Sequence, residues 1–281
     1  MISAAVNLAP APASGEQPFL KWPGGKRSLV SQLLALVPRS YERYFEPFLG
    51  SAALFFALNP TEAYLSDKNK ELINCYTQVQ QSPESVIAVL RKLPNTRHDY
   101  YRIRNQALRS GPARAAQFIY LLNLSFNGIY RVNSRGRFNV PYGYRSNRLP
   151  CESHKIRAAS ELLSAAKLSD GDFERAVSDA GEHDFVYLDP PYAAADDAKE
   201  SQGFVRYNPS LFSWDDQLRL ARLAHSLARR GCHVMVSNAL DASIRRLYPT
   251  FQAHTVQRLS AIAAKSSARK RVREYVLLHV K

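Results

Sequence analysis

Phe185-Val186-Tyr187-Leu188-Asp189-Pro190-Pro191-Tyr192 is the stretch on which the reading of this chain turns. Its first four residues are apolar without alternation, as in a short strand buried on both faces of a helix-covered parallel sheet. Asp189 follows at once, and two prolines end the strand because they carry no backbone N–H to continue a ladder. An acidic residue at the carboxyl end of a buried strand stands where open α/β sheets bind their ligands. At average residue usage the string Asp-Pro-Pro-Tyr would arise by chance in on the order of one in a thousand chains of this size. The expected fold class is therefore α/β, with a site at the carboxyl edge of the sheet.

The flanking sequence has the same rhythm. Arg43-Tyr44-Phe45-Glu46 has a short strand pattern that breaks at Pro47 and Gly50, and Ala52–Leu58 reads as the helix leaving that turn. Ala63–Ser66 is a second strand, followed by Asp67 and a helix from Asn69. This strand–turn–helix–strand–Asp order is that of a nucleotide-binding α/β half. Upstream, Phe19–Lys26 is a loop leading into a helical pattern through Leu29, Leu33, Leu34 and Val37. Downstream come an amphipathic helix over Asp215–Arg230, ended by Gly231, and a buried strand, His233–Val236. Two last strands, near Ala253–Arg258 and Tyr275–Val280, flank a basic loop holding Lys265, Arg269, Lys270, Arg271 and Arg273.

Between Gln81 and Arg148 the character changes. Helical patterns over Val86–Leu93, Tyr100–Leu108 and Ala115–Leu124 precede a segment, Ile129–Val140, whose alternation about Gly136 predicts a hairpin or an extended loop. From Arg91 to Arg148 there are twelve Lys and Arg residues against Asp99 alone, interleaved with aromatic side chains. Guanidinium groups suit phosphates and guanine edges, and flat rings suit bases. The whole chain carries a formal charge of +14, which favours a polyanionic partner. The expected organisation is a flexible leader (1–17), one catalytic α/β domain (18–80 and 155–281) and a basic insertion (81–154).

Other classes are disfavoured. No apolar run approaches the roughly 20 residues of a membrane helix. The Ala- and Pro-rich start lacks the basic and apolar regions of a signal peptide, which points to a cytosolic protein. Cys75, Cys151 and Cys232 are odd in number and far apart, so neither a disulfide framework nor a metal site follows. Pro23-Gly24-Gly25-Lys26-Arg27 lacks the spacing of a phosphate-binding loop, and Gly50-Ser51-Ala52 lacks two glycines of the dinucleotide fingerprint. The loops instead suit a cofactor with an amino acid and a ribose but no phosphates. Asp67 is placed for ribose hydroxyls or as a helix N-cap. Asp170-Gly171-Asp172-Phe173 is a turn that offers an acidic and an aromatic group to an adenine ring.

The residue types at Asp189 suit an exocyclic amine on a flat ring. The nitrogen of such an amine is a poor nucleophile because its lone pair is delocalised into the ring. A carboxylate accepting one N–H and the Pro190 carbonyl accepting the other would return electron density to nitrogen. Tyr192 offers a face on which an extruded base can stack. Methyl transfer from a sulfonium then requires mainly alignment and charge complementarity.

Phe19–Lys26, Phe45–Ser51, Leu65-Ser66-Asp67 with Asn69, Asn127–Arg131 through Phe138–Gly143, and Asp189–Tyr192 occur in one order. Together they resemble the Dam-type family of DNA N6-adenine methyltransferases, over nearly everything from Phe19 onward. The resemblance implies a class I (Rossmann-like) S-adenosylmethionine-dependent methyltransferase sheet, with the cofactor held by Trp22, Lys26, Asp67 and Asp189. Glu46, Phe48, Gly50, Asp172 and Phe173 would complete its pocket. The insertion would be the target-recognition domain for double-stranded DNA, with Ile129, Arg131, Asn133 and Pro141 at base-contacting hairpin positions. Lys21 lies where a base-contacting lysine can occur. Relatives often read GATC, which is the expected target. Two departures bear on the site read: Arg137 adds charge at the hairpin tip, and Arg145-Ser146-Asn147-Arg148 differs from the family pattern. The resemblance further implies a bacterial or phage-type protein at the nucleoid, for which a monomer suffices and a weak dimer on DNA is compatible.

Alternatives remain open on the residues alone: methylation of RNA adenine or of cytosine N4, or a DNA-binding relative without activity. A C5-cytosine enzyme needs a nucleophilic cysteine after proline. Cys151 alone follows one, outside any active-site context.

Overall fold

The computed structural model describes residues 7–8, 18–144, 151–192, 212–259 and 271–281. Among the described residues, nine strands run in chain order as β1 (Asn7–Leu8), β2 (Ser40–Tyr41), β3 (Tyr44–Glu46), β4 (Ala63–Asp67), β5 (Ala166–Asp170), β6 (Phe185–Leu188), β7 (His233–Ala239), β8 (Gln252–Leu259) and β9 (Arg271–His279). Seven form one sheet in the order β5-β4-β3-β6-β7-β9-β8. Its first five strands are parallel neighbours, and β9 inserts antiparallel between β7 and β8. The chain therefore steps from β3 outward through β4 to β5, then returns to the other side of β3 with β6. That reversal leaves a crevice at the carboxyl ends of β3 and β6, the usual ligand site of open α/β sheets.

Alternation along the central strands sends side chains into two cores. Phe185, Tyr187 and Met235 pack on one face with Tyr44, while Val186, Leu188, Val234 and Val236 pack on the other with Phe45. The first face is covered by α1 (Val30–Leu34), α2 (Ala53–Leu58), α3 (Lys70–Gln81), α4 (Pro83–Leu90), α5 (Arg97–Arg104), α6 (Gly111–Leu124) and α7 (Ser153–Leu163). The second is covered by α8 (Phe173–Ala176), α9 (Trp214–Arg229) and α10 (Ala242–Leu247). Helix α6 is buried nearly all round, and its apolar residues share one core with α3 and the sheet. The basic insertion is thus cemented to the sheet by continuous apolar packing.

The hairpin forms. Asn133 N–H donates to the Arg137 carbonyl (2.9 Å), Asn139 N–H donates to the Arg131 carbonyl (3.1 Å), and Val132 bridges Phe138. The Asn133 side chain builds the turn, accepting from the N–H groups of Arg135 and Arg137, both at 3.0 Å.

Four elements differ from the sequence expectation. Strand β5 gives no apolar signal because it is an edge strand, with Lys167, Ser169 and Asp170 exposed and Leu168 half-buried. Helix α7 straddles the expected boundary near residue 154. Strand β9 begins at Arg271, so Arg271 and Arg273 lie on a strand and not in the basic loop. Pairing along all of β8, from Gln252–Leu278 to Leu259–Arg271, extends β9 beyond its apolar part. Within the expected leader, Asn7–Leu8 pairs antiparallel with Ser40–Tyr41. The rest of that leader, Lys265, Arg269, Lys270 and the segment Arg145–Arg148 lie outside the described residues. Among the described residues, no helix is long and apolar enough to cross a membrane.

Candidate active site

Two loops and four strand ends build the crevice. In the first loop the Gly25 N–H donates to the Trp22 carbonyl at 3.1 Å, and Gly24 has φ +76°. Proline at the second position and a positive-φ glycine at the third make a type II turn. The turn delivers Lys26 to the carboxyl edge of the sheet, where its side chain is buried.

The second loop leaves β3 at Glu46. Gly50 is required there by close approach: a Cβ on it would sit 2.9 Å from Cδ1 of Trp22, and its φ is +46°. Asp67, at the end of β4, braces this loop, accepting from the N–H of Gly50 (3.1 Å) and of Asn69 (2.9 Å). The N-cap of α3 is Asn69, whose Oδ1 accepts from Glu71 and Leu72. Asp67 is therefore a loop tie and not a cap, and the Gly50 N–H that a phosphate would need is already engaged.

Asp189 lies at the end of β6, beside β3, with Lys26 Nζ 2.5 Å from its Oδ1. Burial pushes the Asp189 carboxyl above its ordinary value, and the Lys26 ammonium pulls it back toward the charged form. Glu46 is fully enclosed and is pushed up to about 8, first by burial and then by the nearby Asp189 and Asp67 charges. The Tyr44 hydroxyl (2.9 Å) and the Phe55 N–H oppose that shift. Asp67 is raised by burial as well. Glu46, which is buried, and half-buried Asp67 and Asp189 thus gather acidic groups at one place with Lys26 beside Asp189, an arrangement that suits a cationic ligand.

An aromatic cluster lies just beyond the ends of β3 and β5. Phe48 stacks on Phe173 at 5.2 Å between centroids, and Phe212 packs against both at 5.7 and 6.0 Å. Asp172 caps α8 by accepting from Glu174 N–H and takes Arg219 at 2.9 Å. The Arg219 guanidinium also lies 4.8 Å over the Phe173 ring, so α9 holds this turn in place. Trp22 stacks on Tyr130 at 5.1 Å, which joins the first loop to the hairpin.

The crevice therefore gathers Trp22, Lys26, Glu46, Phe48, Gly50, Asp67, Asp172, Phe173, Asp189, Pro190 and Tyr192 around the carboxyl ends of β3, β4, β5 and β6. The expected DNA-contacting residues form a second group on the adjoining hairpin. Asn133 and Arg137 are exposed at its tip and Pro141 is exposed at its root, where its carbonyl accepts from Phe126 N–H. Ile129 and Arg131 are half-buried, with Arg131 Nε donating to Asn139 at 2.7 Å. Lys21 packs beside Gly128 at the hairpin root.

Glu274, Arg258 and Arg219 were not expected at the site. Glu274 stands on the antiparallel strand β9 and is 1% exposed. Its Oε2 accepts from the Tyr192 hydroxyl and its Oε1 from Arg258 Nε, both at 2.5 Å. A signal existed in the sequence: Glu274 shares strand parity with buried Val276 and Leu278.

The strand order and the acidic crevice at its reversal define a class I methyltransferase. The model of the D12 class N6 adenine-specific DNA methyltransferases matches residues 22–262, and the chain belongs to that family. It is 39% identical over 271 residues to a Lactococcus lactis subsp. cremoris protein named Type II methyltransferase M1.LlaDCHI, covering 93% of this chain and 94% of that one. A Methanocaldococcus jannaschii protein named Type II methyltransferase M.MjaIII is 33% identical over 278 residues, with 90% and 95% covered. A protein of Escherichia coli named DNA adenine methylase is 30% identical over 268 residues, with 93% and 94% covered. The chain is a DNA adenine-N6 methyltransferase, with DNA as substrate and a methyl donor required.

Proposed function

We propose that the chain transfers a methyl group from S-adenosylmethionine to N6 of an adenine extruded from duplex DNA, with GATC as the leading target. The observation that carries this reading is Asp189-Pro190-Pro191-Tyr192 at the end of β6, beside the sheet's reversal and paired with Lys26 at 2.5 Å. The fit to the donor rests on buried Glu46 and half-buried Asp67 and Asp189, acidic groups suited to a ligand that bears an ammonium and a sulfonium. Phe48 and Phe173 would flank its adenine, Asp67 would face its ribose, and Trp22, Lys26, Glu46 and Gly50 would complete the pocket. When bound, that donor supplies an electrophilic methyl on sulfur.

The chain's own residues do the rest. Lys26 keeps Asp189 in the charged form, so that its carboxylate accepts an N6–H and can hold the proton that nitrogen loses. The Pro190 carbonyl accepts the second N–H, with no backbone donor beside it. The Tyr192 ring stacks the extruded base. In this reading residues 18–80 and 155–281 are the catalytic unit, and residues 81–154 read the target through Lys21, Ile129, Arg131, Asn133, Arg137 and Pro141. One chain holds both units, so a monomer is sufficient, and the protein acts in the cytoplasm at the nucleoid.

Expression in a methylation-free bacterial host, followed by mapping of modified adenines, tests the reading. Adenine marks at one short motif are expected, lost in Asp189→Ala while purified D189A still binds duplex DNA. No marks, marks only in RNA, or marks that survive D189A would overturn it.

A further inference from the structure

Glu274 lies outside every motif that marks the site, yet it touches three groups there. It sits on β9, directly opposite Val256 on β8 and Ala239 on β7. Arg258, two residues beyond Val256, reaches it diagonally across the ladder. One carboxylate oxygen is held by Arg258, while the other takes the Tyr192 hydroxyl at 2.5 Å and faces Lys26 Nζ at 3.8 Å. The same ammonium contacts Asp189 at 2.5 Å and lies 4.8 Å over the Tyr192 ring.

We infer that Glu274 is a positioning residue for methyl transfer: it tethers Tyr192 by its hydroxyl and shares Lys26 with Asp189. Two consequences follow from the geometry. The Tyr192 hydroxyl is committed to Glu274, so Tyr192 meets the substrate with its ring alone, in one orientation. Lys26 and Arg258 face Asp189 and Glu274, two cations to two carboxylates in a buried cluster. Lys26 already contacts one Asp189 oxygen at 2.5 Å, and without the Glu274 charge at 3.8 Å its attraction would fall on Asp189 alone. Arg258 anchors Glu274 from the far side, so the sheet's antiparallel edge sets the geometry of a site otherwise built from its parallel half.

The inference rests on the reading of Asp189–Tyr192 as the catalytic segment, and its test separates the two. Single-turnover methylation of a duplex bearing the mapped site would be measured with labelled S-adenosylmethionine for wild type, Glu274→Gln, Tyr192→Phe, the double variant and Asp189→Ala. Glu274→Gln should lower the turnover rate constant at least about tenfold, the scale of one charge-assisted hydrogen bond, with DNA and donor affinities within about twofold of wild type. Tyr192→Phe should lower it several-fold, and the losses should be less than multiplicative in the double variant, because both changes act on one tether, whose charge the amide removes. Wild-type turnover in E274Q, or losses that multiply in the double variant, would overturn the inference. If E274Q shows no cooperative unfolding transition, Y192F decides: a several-fold fall at unchanged donor affinity supports the tether, and wild-type turnover refutes it. Activity retained in D189A would instead refute the catalytic segment itself.

Discussion

Replacing Glu46 by glutamine should make the ligand-free protein more stable at alkaline pH while destroying its affinity for the methyl donor. Glu46 is fully enclosed at the end of β3, and its carboxyl is raised from an ordinary 4.5 to about 8, chiefly by burial. The folded state then holds a proton that the unfolded chain has already released. Stability therefore falls as pH rises between those two values and is fully present only below the lower one. Integrating that linkage between about pH 6 and pH 8 gives a loss of about 2 kcal/mol, or roughly 4 °C in Tm for a domain of this size. The substituted amide is neutral throughout and can still accept the Tyr44 hydroxyl, so E46Q should lack this part of the slope. Asp67 and Asp189 are raised in both proteins, and the difference between the two curves isolates Glu46. A cationic donor favours the charged carboxylate, so binding to wild type should strengthen with pH and release a proton. Thermal melts from pH 6 to 8 would measure the first effect, and titration calorimetry in buffers of different ionisation enthalpy the second. Parallel stability curves for wild type and E46Q, or donor binding without proton release, would refute the assignment of a high-pKa carboxyl to Glu46.

Two further outcomes are expected. Gly50→Ala places a methyl group 2.9 Å from Trp22 at a φ of +46°, so it should cost about 1–3 kcal/mol in denaturant unfolding. By moving Trp22 it should weaken donor binding too, and a variant unchanged in both respects would remove Gly50 from the site. Arg131→Ala should weaken binding of the target duplex by about 1–3 kcal/mol and relax specificity at one base pair. A uniform loss across sequences, with a shallower salt dependence, would assign Arg131 to phosphate instead.

Local chemistry makes much of the site legible in the sequence. Phe185–Leu188 could only be a doubly buried strand, and the prolines after Asp189 marked its end. Pro23-Gly24 read as loop, and the structure shows a type II turn that delivers Lys26. Alternation about Gly136 allows a hairpin or an extended loop, and the backbone bonds are those of a hairpin. Less legible were elements whose signal depends on neighbours. Strand β5 is polar because it lies at a sheet edge, and β9 extends through Arg273 and Arg271 only because β8 pairs with it throughout.

By itself the sequence determined the fold class, the switch-point site, the carboxylate motif and the basic character of the insertion. Each of these is written in residues adjacent in the chain, through burial patterns, backbone-restricting residues and charge. Tertiary structure alone decided what those residues touch. Asp67 proves to be the tie for the Gly50 loop, Trp22 the joint between that loop and the hairpin, and Glu274 the anchor of Tyr192 from 82 residues away. Those contacts join strands and loops far apart in sequence, and their partners are chosen by sheet register and core packing, which no local pattern encodes.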